Sequence, residues 1–432
     1  NKEGGDVKVL KSVLVGVLAL GIVFSSVPSV HADETSELIL KLLVKKGVIS
    51  QAEVNELKAE VKAAKVPDVE KHAKKSSWTE RIKVKGDVRL RNEYQRPGSG
   101  TYVNRQRIRA RAAIEAKLTD SVKAAIGLAT GGTGNARSTN QTLQDAFGTK
   151  ALDLDLAYID WKPVKEVKIS GGKYKNPLYR PGDLLWDGDL RFEGASTNVK
   201  YRLIDDEDMP VDVMANSGLF ILDDLAVDKK SPFLFAIQGG LGTSIGDAVD
   251  LKGFFGYLDF IKIQNTKSTD FNPSAAAVNA EGDYRYDYNV LEVSGEATFH
   301  LLEEIMPAPF NVPAGIFGDY IYNYAAGETR AQQGHGWQVG AKFGKKPKKF
   351  GDWRAVYSFR KLGINAFPEQ FPDADAFRGR TNGYGHEAIF SFGLAKNIWL
   401  EFDYYAVRDK TRGTDPNDKW GHTIQADLNV KF

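Results

Sequence analysis

The sequence predicts an all-β protein, a transmembrane antiparallel β-barrel of about 16 strands, with a short N-terminal periplasmic helical segment. Three observations predict it. From Arg81 to Phe432 apolar side chains recur at every second position. The connections between these runs alternate between tight turns and long polar stretches. The last run, Ile424, Ala426, Leu428, Val430 and Phe432, keeps its phase to an aromatic residue. A soluble β-sandwich shares the first property, because its buried face also alternates with a solvated one, but it has no reason to alternate its loop lengths.

Composition leaves this reading open and closes others. The chain has 432 residues, 42 of them glycine, with 11% aromatics and no cysteine. Its mean hydropathy of -0.35 looks soluble, yet a spanning β-strand shows only alternate residues to lipid and so gives the same average. Without cysteine there is no disulfide framework, no thiolate-bound zinc, no iron–sulfur cluster and no c-type haem attachment. The 58 basic and 56 acidic residues nearly cancel, which argues against nucleic acid as a partner. No cofactor is expected.

Residues 8–32 read as a secretory signal. Lys8 and Lys11 precede the apolar run Val13 to Phe24 and a small-x-small site at Val30-His31-Ala32. That run is shorter than the roughly 20 residues that a helix needs to span a bilayer. Cleavage would start the mature chain at Asp33, with residues 1–6 as upstream material and Val7 as the first native residue. Residues 33–65 are helical in pattern. Leu38, Leu42 and Leu43, then Val54, Leu57 and Val61, recur at helical spacing around Gly47, and Ser50 to Glu53 forms a capping box. A self-packed helical hairpin and an oligomerising or plugging segment both fit. Residues 66–80, with several lysines and Pro67, read as a linker, and 81–432 as the barrel.

Strands are expected near 81–94, 105–118, 122–130, 151–162, 165–174, 195–204, 211–222, 232–244, 248–264, 286–301, 310–325, 335–344, 352–362, 385–395, 398–408 and 421–432. The tight turns Thr119 to Ser121, Pro163-Val164, Ile245 to Asp247 and Lys396-Asn397 alternate with 131–150, 175–194, 265–285, 363–384 and 409–420. An even number of strands puts both barrel ends, and the helical segment, in the periplasm. Tyr158, Trp161, Tyr320, Tyr322, Tyr324, Trp337, Trp353, Trp399, Tyr404 and Tyr405 lie in or near strand ends, as residues of aromatic girdles do, although several will instead line the lumen.

Two segments carry a family resemblance. Lys173 to Pro177 followed by Gly182 to Leu190 and Glu193-Gly194, and Phe371 to Asp375 leading to Thr381 to Gly385, resemble motifs of the bacterial "putative porin" family. The opening Leu42 to Ile49 before an acidic helix is similar to it as well. The resemblance implies an outer-membrane channel of a Gram-negative cell, a homotrimer and no catalytic signature. It names no solute. The in-phase final strand likewise resembles those recognised by outer-membrane assembly machinery, with Phe432 as the assembly signal. A loop after the fifth strand folds inward in general porins. Here 175–194 supplies Asp183, Asp187, Asp189 and Glu193, with Trp186 and its leucine neighbours as anchors, for such a constriction loop; a surface loop is the alternative.

Charge clusters at the start of the barrel. Between Arg81 and Leu118 eleven basic residues stand against Asp87, Glu93 and Glu115. Lys83, Lys85, Arg89, Arg91, Arg105, Arg107, Arg109 and Arg111 share the odd-numbered face and are expected to line the pore, because a basic residue facing lipid at mid-bilayer costs roughly 2–4 kcal/mol. Such a wall would set ion preference unless nearby acids balance it. His72, His300, His335, His386 and His422 are scattered and no hydrolase or phosphate-binding motif occurs, so an enzyme is not expected. Asp205 to Asp208 read as a solvated acidic turn rather than a metal loop. The function expected is passive diffusion of small hydrophilic solutes or ions, with an anion preference from the arginine wall. The alternative is a scaffold barrel housing a periplasmic or electron-transfer protein.

Overall fold

In the computed structural model the alternating runs form sixteen long strands, each rich in the β-branched and aromatic residues that suit a pleated surface. In chain order they are β1 (Ile82–Arg96), β2 (Val103–Lys117), β3 (Val122–Thr130), β4 (Leu152–Val164), β5 (Val167–Lys175), β6 (Arg191–Ile204), β7 (Val211–Ile221) and β8 (Phe233–Ile245). Then follow β9 (Val249–Ile261), β10 (Asn289–Phe299), β11 (Ala314–Asn323), β12 (His335–Gly344), β13 (Trp353–Leu362), β14 (Gly383–Ala395), β15 (Ile398–Asp409) and β16 (Gly421–Lys431). The structure describes residues 78–96, 102–132, 136–224, 231–264, 266, 284, 286–326, 333–376, 379–409 and 420–432. The expected signal segment, the helical segment 33–65 and all but the end of the linker lie outside the described residues.

Every strand pairs antiparallel with its chain neighbour, and β16 pairs with β1 from Asp87↔Lys431 to Arg96↔His422, so the sheet closes. Closure removes the unpaired edges that could not be tolerated in lipid. Phe432 completes the seam. Its backbone exchanges hydrogen bonds with Gly86 at 2.9 and 3.0 Å, and its ring lies where a Cβ on Gly86 would be 2.4 Å away. Only glycine admits that approach.

Burial inverts the pattern of a soluble domain. Gln238, Glu292, Gln338, Ser358, Gln425 and Asp427 are buried, whereas Ile316, Val339, Tyr357, Phe390, Phe402 and Ile424 are exposed. Apolar side chains cover most of the outer face and polar ones line much of the lumen, the arrangement that a lipid exterior and a wet interior require. Of the aromatic residues expected in girdles, Trp399 and Tyr405 are buried and line the lumen, while Tyr320, Tyr324 and Tyr404 are exposed. The turn containing Asp205 to Asp208 is exposed, with the Asp206 carboxylate accepting from the Asp208 and Met209 amides. Among the described residues no helix is long and apolar enough to cross a membrane.

Candidate functional site: the lumen

The register of β1 against β2 sets Arg89 opposite Arg109 and Arg91 opposite Arg107. Directly opposed like charges destabilise a ladder, and here three carboxylates on the same inner face offset them. Asp87 accepts from Arg109 at 3.0 Å and Arg111 at 2.8 Å. Glu93 accepts from Arg105 at 2.6 Å and Arg107 at 3.3 Å. Asp427 of β16 takes Arg91 in a two-pronged pair at 2.7 Å and lies 3.4 Å from Arg89. Each of these carboxylates therefore serves at least two arginines, Glu93 standing also 3.9 Å from Arg91, and on β16, β1 and β2 six guanidinium groups face these three acids. Lys83 and Lys85 continue this face toward the short-turn end, where Lys85 meets Glu115 at 2.7 Å.

The connection 176–190 folds into the lumen. Gln238 of β8 accepts from the Tyr179 amide at 2.8 Å and donates to its carbonyl at 3.1 Å. On another wall Gln338 of β12 accepts from the Asp183 amide at 3.2 Å and donates to its carboxylate at 3.1 Å. A Cβ at Gly182 would stand 2.2 Å from that glutamine's oxygen, so any larger residue would displace the Gln338 amide from the bonds it makes to Asp183. Arg360 of β13 meets Asp183 at 2.7 Å. Trp186 is 2% exposed. Its ring packs edge-on against Phe192 and Phe367, both with centroids 5.0 Å away, and tilts against Phe371 at 5.5 Å.

A second inward connection, 363–382, supplies those last two rings and is tied to the first. The Asp187 amide donates to the Phe371 carbonyl at 2.8 Å, and the Ala374 amide donates to the Asp187 carboxylate at 2.8 Å. Arg137, from the connection 131–151, donates to the carbonyls of Glu369 and Gly379 at 2.8 Å. Asp189 joins this body to the arginine wall, accepting from Arg111 at 3.0 Å and from the Thr139 amide and hydroxyl at 3.1 and 3.0 Å. Burial and the neighbouring Asp189 charge push the Asp187 carboxyl up. Burial also opposes ionisation of Asp189, but Arg109, Arg111 and Arg89 outweigh it and hold that carboxyl well below the usual range.

Beside the arginine wall a cavity of about 760 Å³ stays open. Arginines of β1 and β2 line one side. The rest is lined by acids, among them Asp183, Asp187 and Asp189, Asp373 and Asp375 of the second loop, and Glu401 and Asp403 of β15, together with the basic Arg137, Lys346 and Arg380. Another cavity of about 560 Å³ lies toward the short-turn end, lined by loop residues Pro177 to Arg180 and by Lys168, Lys200 and Lys252. Two carboxylate trios, Asp183, Asp373 and Glu387, and Glu401, Asp403 and Asp427, are close enough to share an ion. Each faces an arginine already, Arg360 in the first and Arg91 in the second, which supplies the compensating charge.

Asp183, Trp186, Asp187 and Asp189 thus come together in the lumen. Glu193 does not belong with them. The loop ends at Leu190, because Arg191 already pairs with Lys175 in the ladder, and Glu193 is a strand residue opposite Lys173 and bonded to it. Sequence reasoning did not single out Asp427, Asp375, Arg137, Arg360 or Glu387. Asp427 carried a signal, since it lies in phase with the inner face of β16. The scattered histidines take local partners: His300 bonds Asp250 and Glu303, and His335, His386 and His422 each bond a tyrosine.

Among solved structures the chain is similar to Pseudomonas putida OprB, at 10% identity over 82% of this chain and 94% of that one with a TM-score of 0.49. It is also similar to Salmonella typhi OmpF in complex with daunomycin, at 9% identity over 81% and 97% with a TM-score of 0.48. Rhodopseudomonas blastica porin is a third, at 11% identity over 81% and 100% with a TM-score of 0.40. No curated protein matches the sequence. The model of the family described as "Putative porin" matches residues 100–313 and 319–432, most of the barrel, and the chain belongs to that family.

Proposed function

We propose that this porin is an outer-membrane diffusion channel for small hydrophilic solutes and ions, and that it favours anions. The observation that carries the reading is the wall on which six arginines share three carboxylates beside an open cavity. Over Asp87, Glu93 and Asp427 the six arginines keep a formal excess of three positive charges, which among the described residues Asp189, Asp375 and Asp403 meet in ion pairs at Arg111 and Arg91 only, and charged rings of this kind set selectivity in narrow pores. Acids of the inward loops and of β15 also line the cavity, with Asp189, Asp375 and Asp403 at 3.0, 3.4 and 3.9 Å from wall arginines, so a passing solute meets charges of both signs in a space of low dielectric. In this reading the channel is a homotrimer, residues 33–65 stand in the periplasm and Phe432 marks the barrel for assembly.

The test is a reversal potential in planar bilayers under a salt gradient. Replacing Arg107 and Arg109 by Gln should shift the channel toward cations at low salt, and the shift should shrink near 1 M salt, where the Debye length is about 3 Å. An unchanged ratio at low salt would overturn the anion preference. Closed bilayers together with tight co-purification of another protein would favour a scaffold barrel over a channel.

A further inference from the structure

The outer face of the barrel carries a pattern that the pore does not use. On six consecutive strands around the closed sheet, β12 to β16 and then β1, the outward residue near the long-loop end is basic or an imidazole. These are His335, Lys361, His386, Arg408, His422 and Arg96, one per strand. Neighbours in the ladder hold them in one arc: Trp337 faces Lys361, Tyr384 faces Arg408, and His422 faces Arg96. Every other outward residue of these strands among those described is apolar, aromatic, glycine or Asn92, and none is acidic. Elsewhere around the rim acids do face outward, with Glu193 bonded to Lys173 and Asp259 beside Tyr257.

The three imidazoles are held alike. Each of the last three long-loop hairpins places a tyrosine on its first strand against a histidine on its second. Tyr320 meets His335 at 2.7 Å, Tyr357 meets His386 at 2.7 Å, and Tyr404 meets His422 at 2.9 Å. In all three the tyrosine hydroxyl bonds Nδ1, which fixes the ring and leaves Nε2 for a second bond. Aromatic rings fill the arc between them. Trp420 packs on both Tyr384 and His386, and Tyr322 stacks on His335 at 4.5 Å. Arg408 donates to the Tyr384 hydroxyl at 3.0 Å, which turns its guanidinium along the surface.

We propose that this arc binds the phosphate-bearing headgroups of lipids in the surrounding leaflet. Amphipathic rings settle at the level of the headgroups, and a row of basic groups at that depth, with apolar and aromatic residues and the single Asn92 on the strands below it, is complementary to lipid phosphates whose acyl chains run down the strands. A second copy of the chain fits less well, because among the described residues no acidic arc on the outer face matches this one in length. The inference does not rest on the ion preference of the pore.

Native mass spectrometry of the intact detergent-purified protein tests it, with dioleoyl phosphatidic acid, dioleoylglycerol and inorganic phosphate as separate probes. Phosphatidic acid should bind at far lower concentration than the neutral lipid. The variant Arg96→Gln, Lys361→Gln and Arg408→Gln should raise its midpoint on the order of ten-fold or more, with conductance and ion selectivity unchanged in bilayers. Should that variant fail to fold, Lys361→Gln alone should still raise the midpoint measurably. Equal binding by parent and variant would overturn the proposal. So would complete displacement of the lipid by an equal concentration of inorganic phosphate, which would mark a free-anion site, or dissociation of an oligomer by the substitutions, which would mark an interface between copies.

Discussion

Two sectors of the lumen wall face the same water and end differently. Along β6 to β11 the inner residues toward the long-loop end are Phe192, Phe220, Leu234, Leu258, Phe260, Val290 and Ile321, all buried with Trp186 and Phe367 in one apolar cluster. Lower on β15 and β16, and along β1 and β2, the inner face instead carries Glu401, Asp403, Asp427, Asp87, Glu93 and six arginines, and a cavity remains. The loops fill the first sector because apolar contact there is favourable and non-directional. Over the second they touch individual ions, Asp189 at Arg111 and Asp375 at Arg91, and leave a cavity beside the rest, whose covering would desolvate further charges at a cost of several kcal/mol per ion. One sector positions the loops, and the other is the one proposed to select what passes.

That division can be broken by substitution. Trp186→Ala should have the largest effect. It removes the central ring of the apolar cluster, of order 3–5 kcal/mol in a packed core, so the loop should loosen. Single-channel recordings should show a larger, noisier conductance with little change in the sign of selectivity, and an unchanged conductance would mean that the loop does not bound the pore. Asp427→Asn should cost on the order of 3 kcal/mol, because Arg91 and Arg89 lose their shared acid in a buried setting. A lower midpoint of thermal unfolding and a stronger anion preference are expected; selectivity left unaltered would place this wall off the solute path.

The smallest effect lies outside both sectors, at the short-turn end. Hydrogen bonds to Glu303 and Asp250 raise the pKa of His300 above its usual 6.5. A raised folded-state pKa contributes stability that is complete below about 6.5 and fades as pH rises through the folded value. Hydrogen exchange in the connection 300–313 should therefore be slower at pH 5.5 than expected from its rate at pH 8.5 after correction for intrinsic exchange. His300→Asn should abolish that difference, and a variant that keeps it would clear His300 of the role.

The strands were legible because their alternation is set by the two phases that they separate. All sixteen appear in the expected order, and even the run at 211–222, with Asn216 and Ser217 in it, forms β7. The inner ends were harder. β6 starts at Arg191 rather than near 195, since Phe192 belongs both to the ladder and to the apolar cluster. The inward path of 363–382 was not foreseen. Its cues, Phe367 and Phe371, gain meaning only once Trp186 is known to lie beside them. Asp427 lies 336 residues from Arg91, a separation that only ring closure brings within 2.7 Å. Alternation reports which face a residue takes, whereas partnership across the seam depends on strand order and register.

The sharing of one carboxylate between two arginines has a kinetic consequence. An arginine with an acid of its own would hold an anion weakly, and a bare one would hold it long. In the proposed reading the partly compensated guanidiniums repeating about every 7 Å along β2, of which Arg111 has Asp189 as a second acid, give a passing anion a succession of shallow wells. Hand-over from one to the next then needs no deep escape, the condition for fast conduction at a selective site. Conductance should therefore climb in proportion to chloride activity across the physiological range, and early saturation would reveal a trap that the wall was thought to lack.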